Sequence, residues 1–70
     1  MGNALLKKLD ESIKMVLDEC DSVDMPNIYV IKSTPEGVKS ITKLVRKRII
    51  QQRMGIYEAL QAIENEFTEN

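Results

Sequence analysis

Apolar residues recur at three- and four-residue steps near the start of the chain: Leu5, Leu9, Ile13, Val16, Leu17 and Cys20, with Leu6 on the flank. At about 100° per residue they fill an arc of about 120°, and Lys7, Lys8, Glu11, Lys14, Asp18 and Glu19 fall outside it. This predicts a first helix over about 4–21, with Asn3 as its N-cap. The helical period breaks at Met25-Pro26-Asn27. Ile28-Tyr29-Val30-Ile31 follows, β-branched or aromatic and bounded by turn formers, which predicts a short strand over 28–31.

Ser33-Thr34-Pro35-Glu36 marks the next helix start. Either Thr34 caps with Pro35 in the first helical position, or Ser33 and Glu36 form a reciprocal capping box. Val38, Ile41, Val45 and Ile49 make a clean stripe, so a second helix is expected over about 35–52. Gly37 in its first turn costs about 0.5–1 kcal/mol relative to Ala, with close packing as the one reason to keep it. Met54-Gly55 interrupts, and Gly55 can cap a third helix with Glu58 in the reciprocal position. Ile56, Leu60, Ile63 and Phe67 share an arc of about 40° with Ala59 beside them, giving a third helix over about 56–67. The expected fold is mainly α, one small domain over 1–70 of three helices and one strand.

A lone strand leaves backbone N–H and C=O groups unpaired. Two copies pairing Ile28, Tyr29, Val30 and Ile31 across a two-fold axis would satisfy them, which makes a homodimer the expectation. One competing reading is an extended connector with its apolar side chains tucked between helices. Another is an edge that recruits a strand from a different protein.

Composition narrows the function classes. Seventy residues can bury only about 60% of the surface the unfolded chain exposes. There is no His and a single Cys, which removes His-based acid–base catalysis, Cys/His zinc sites and an intramolecular disulfide. Cys20, on the apolar side of the first helix, reads as a small buried hydrophobe. No cofactor or metal is expected. Ser12, Ser22, Ser33 and Ser40 have no His to activate them, and Gly2, Gly37 and Gly55 are too isolated for a phosphate loop. The acid pairs Asp10/Glu11, Asp18/Glu19 and Glu64/Glu66 read as solvated helix faces, so an enzyme is not expected. The longest apolar run, Ile28–Ile31, is far short of the roughly 20 residues that cross a bilayer. No secretory signal opens the chain, and Leu6 stands where a myristoylation motif wants Ser or Thr. The expected location is cytoplasmic, without membrane contact, and the small size points to a bacterial or phage origin.

The net charge of −1 hides a segregation. Residues 1–26 carry three Lys and six acids, residues 27–54 seven Lys or Arg and one Glu, and residues 55–70 four Glu. On the second predicted helix Lys39, Lys43, Arg46, Lys47 and Arg53 share an arc of about 120°, with Ile50 in its middle. Arg48 falls near the apolar boundary, where a carboxylate partner from the same chain is expected.

Three roles compete for this face: a solvated surface, a phosphate-binding surface, and a contact for an acidic partner protein with Ile50 as apolar anchor. A helix-turn-helix reading fails on sign, because the would-be groove helix carries Glu58, Glu64 and Glu66 and no Lys or Arg. Three aromatic residues, Tyr29, Tyr57 and Phe67, do not make a base-stacking platform. The expectation is a non-enzymatic regulatory module, an inhibitor or adaptor. It would bind a larger partner's acidic surface through Lys39, Lys43, Arg46, Lys47, Ile50 and Arg53. The alternative is a small nucleic-acid-binding or transcription-related protein using the same face.

Overall fold

The computed structural model describes residues 2–68. Four helices follow one another: α1 (Gly2–Glu19), α2 (Pro26–Ile31), α3 (Pro35–Gln52) and α4 (Ile56–Thr68). Helix α1 packs on α3 and α4, α3 on α4, and the short α2 lies against α3 and α4. Ile13, Leu17, Cys20, Met25, Ile28, Ile41, Val45, Ala59, Leu60 and Ile63 form the buried core. No helix is long and apolar enough to cross a membrane, among the described residues.

Helix α3 begins and ends where its pattern predicts. Of the two caps, the Thr34 option is the one formed: its hydroxyl accepts from Gly37 N at 3.0 Å, and Pro35 follows. Ser33 instead bonds the Val30 carbonyl. Gly55 N donates to Glu58 Oε1 at 3.2 Å, closing the first turn of α4. Helix α1 already includes Asn3, so that residue is not the N-cap.

The predicted stripes hold in their middles and fail at their ends. Leu5 is 73% exposed and Phe67 43%, although both continue an apolar stripe. Each lies in an end turn of its helix, past the neighbours that bury Ile13 or Ile63.

The strand over 28–31 is not formed: Ile28, Tyr29, Val30 and Ile31 are helical. Pro26 occupies the first turn, its fixed φ suited to helix and its missing N–H no loss there. The next amides are all partnered. Asn27 N and Ile28 N donate to the Glu64 carboxylate at 3.2 and 2.9 Å, and Tyr29 N donates to Met25 O at 2.9 Å. Helical spacing puts Ile28 in the core with Ile31 half-buried, and turns Tyr29 and Val30 outward. With the backbone satisfied within the chain, the strand edge that called for a homodimer, or for a foreign strand, does not exist. The connector is helical and not extended, though it does tuck Ile28 into the core.

Gly37 now has its reason. A Cβ there would overlap the Ile31 carbonyl oxygen, where the end of α2 presses on the first turn of α3. The turn between α2 and α3 can close this tightly only around glycine.

Candidate functional site

Helices α1 and α3 run antiparallel. Arg46 Nη1 bonds both oxygens of Asp10, at 3.1 and 2.9 Å. The end of α1 lies near the start of α3, because Lys32 Nζ reaches Leu17 O, Asp18 O and Cys20 O at 2.8, 3.1 and 2.6 Å. These three acceptors use all the donors of the ammonium group and close the otherwise open end of α1. The same ammonium stands 5.4 Å from the Tyr29 ring centre.

The structure sorts the basic residues of α3 into two sets. Arg46 is held by Asp10, and Arg48 pairs with Glu66, as its position near the apolar boundary predicts. Lys39, Lys43, Lys47 and Arg53 are exposed and make no ion pair among the described residues. Ile50 stands in their arc at 60% exposure. Arg46 and Ile50 are one turn apart on α3, as Leu6 and Asp10 are on α1, so the antiparallel pairing brings Leu6 and Ile50 to the same end of the two helices. Leu6 is 37% exposed and Ile50 60%.

Arg53 closes α3 in the left-handed region, at φ 55° and ψ 35°. Glycine is the usual residue there, since a side chain in that conformation costs about 1 kcal/mol.

One recess adjoins this face, and another has no lining residue from α3. One, of about 190 Å³, opens between α1 and α3 and is lined by Asp10, Lys14, Lys39, Thr42, Lys43 and Arg46. The other, of about 130 Å³, lies among Val16, Cys20, Met25 and Tyr57, with Glu19, Asp21 and Asp24 contributing carboxylates. In it Cys20 Sγ lies 3.4 Å from Met25 Sδ, and burial pushes the Cys20 thiol pKa up, so the group is an ordinary core thiol. Among the described residues no cluster of three or more Cys, Asp or Glu could hold a metal ion.

Glu64 departs furthest from its expected place. It is 3% exposed, and its carboxylate accepts from Asn27 N, Asn27 Nδ2 and Ile28 N. Burial alone would raise its pKa, but the donors of Ile28 and Asn27, with Thr68 nearby, outweigh it and the net shift is downward. Glu66, two residues on, is committed to Arg48, so neither member of this acid pair belongs to a purely solvated face. Thr42 was also hidden from sequence reasoning: it lies on the buried side of α3, 5% exposed, and its hydroxyl has no partner among the described residues.

Compared with protein-family models, curated proteins and solved structures, the chain has no match in any of the three.

Proposed function

We propose that the protein is a non-enzymatic interaction module that binds an acidic surface of a larger partner through the outer face of α3. The observation that carries this reading is Ile50, which stands exposed between Lys39, Lys43, Lys47 and Arg53 while the chain's carboxylates engage Arg46 and Arg48 instead. An apolar anchor inside a charged rim is the usual anatomy of a protein contact. Arg53 adds support, because the chain keeps a cation where glycine would be the less strained C-cap. Arg46 moves from contact residue to scaffold: its bond to Asp10 fixes α1 against α3. The reading is one of binding, as an inhibitor or adaptor.

The test is retention of a host protein by the immobilised chain, compared with a Lys47→Glu/Ile50→Asp variant of unchanged melting temperature. The expected result is a partner held by the parent and lost by the variant. Equal retention by both would show that the face is wrong. Nucleic acid is the alternative ligand for the same cations, and it predicts binding to DNA at low salt that collapses as salt is added.

A further inference from the structure

The recess between α1 and α3 combines features that neither a solvated surface nor a protein contact requires. Four cationic side chains line it, Lys14 from α1 and Lys39, Lys43 and Arg46 from α3, against the single carboxylate of Asp10. Lys39 and Lys43 are one turn apart, as are Thr42 and Arg46, so these groups converge from two turns of one helix face. Like charges gathered this closely repel one another, and an anion seated among them would relieve that repulsion.

The wall also contains a polar group with nothing to bond. Thr42 is 5% exposed, and its hydroxyl has no hydrogen-bond partner among the described residues. A buried hydroxyl in mid-helix normally returns its hydrogen to a carbonyl one turn back. Here it does not, and Thr42 is among the residues that line the recess beside the four cations. Arg46 completes the arrangement. Asp10 engages only Nη1, which leaves the remaining donors of the guanidinium for another acceptor. Asp10 itself opposes an anion, but it fixes the orientation of Arg46. At about 190 Å³ the recess has room for a tetrahedral oxyanion, given that a water takes roughly 30 Å³ of liquid.

From the unpartnered Thr42 hydroxyl, the convergent Lys14, Lys39 and Lys43, and the half-engaged Arg46, we infer that this recess binds a phosphate group, either as the free ion or as a small phosphomonoester. A phosphate offers three or more acceptor oxygens to donors that arrive from several directions, where a carboxylate offers two. The recess lies between two helices and is about 190 Å³ in volume, which suits one phosphate group and not the continuous track that a nucleic-acid backbone needs. The site shares Lys39 and Lys43 with the partner face, while Lys47, Ile50 and Arg53 lie outside it.

The experiment is a backbone-amide NMR titration of the full chain with inorganic phosphate, and in parallel with phenyl phosphate, against sodium chloride at matched ionic strength. Saturable shifts are expected around Lys14, Thr42, Lys43 and Arg46 with phosphate and not with chloride. Tighter binding of inorganic phosphate identifies the free ion as the ligand, and tighter binding of phenyl phosphate identifies a phosphorylated small molecule. Lys14→Gln/Lys43→Gln should weaken binding about tenfold or more. Thr42→Val should weaken it several-fold while leaving the melting temperature equal or higher, because an apolar group replaces an unpaired buried hydroxyl. Shifts no different from those of chloride, or a Thr42→Val protein that binds like the parent, would overturn the assignment. Ile50→Asp should leave phosphate binding intact, so failure of the partner reading and failure of this one are told apart.

Discussion

Charged residues serve opposite ends in the short helix α2 and along the outer face of α3. Around α2 they are embedded: Glu64 accepts from the first amides of the helix, and Lys32, just past its last turn, donates to the open carbonyls at the end of α1. On α3 the same residue types reach solvent, apart from Arg46 and Arg48. Whether a charge meets unpaired backbone groups decides which of these it becomes. A carboxylate that satisfies buried amides holds the fold together, while an ammonium surrounded by water leaves the fold indifferent and remains available to a ligand.

That contrast is easiest to break at Glu64. Replacing it with Ala leaves the amides of Asn27 and Ile28 without partners and opens a gap beneath α2. The expected loss is about 3 kcal/mol by denaturant unfolding, a large part of the roughly 3–10 kcal/mol that a chain of this size commands. Because the folded pKa of Glu64 lies below its unfolded value, the contribution is complete above about pH 4.3 and is lost as pH falls through the folded value. The stability gap between the parent and Glu64→Gln should therefore narrow in acid; a gap constant from pH 7 to pH 3 would contradict the role given to the carboxylate.

Gly37→Ala reverses a general rule. Inside a helix this change ordinarily stabilises by about 0.5–1 kcal/mol. Here the new methyl group meets the Ile31 carbonyl, and a loss of about 1–3 kcal/mol is expected in thermal unfolding. Lys32→Met keeps the stem and removes the donors to Leu17, Asp18 and Cys20, for a loss of about 1–2 kcal/mol.

The outer face of α3 should answer differently. Arg53→Gly relieves the left-handed C-cap and should raise stability by up to about 1 kcal/mol while weakening partner binding. Lys47→Gln should leave the melting temperature unchanged and still reduce partner retention. If Lys47→Gln unfolded the protein as readily as Lys32→Met, the division between the two regions would be lost.

The long helices were legible because their evidence is local. Thr34-Pro35 opens α3, Gly55 with Glu58 opens α4, and the Ile41 and Val45 spacing points into the core, all within one or two turns of sequence. The outer face of α3, with Ile50 among its cations, was legible from the same periodicity. Helix α2 was not. Ile28-Tyr29-Val30-Ile31 has the intrinsic preferences of a strand, and the group that overrides them, Glu64, lies 36 residues further along. No pattern near residue 28 announces it, and Glu64 itself alternates with Asn65 and Glu66 like any surface acid. Thr42 was hidden in the same way, because its unpaired hydroxyl becomes visible only once α1 is laid beside α3.

A helix of six residues has too few internal hydrogen bonds to persist by itself in water. Since the acceptor for its leading amides arrives from α4, residues 26–31 can become ordered only after the far end of the polypeptide has docked. The middle of the chain is thus the last part to settle during folding. A substitution such as Ile28→Val, in the buried position of this helix, should accordingly speed unfolding and leave the refolding rate almost untouched.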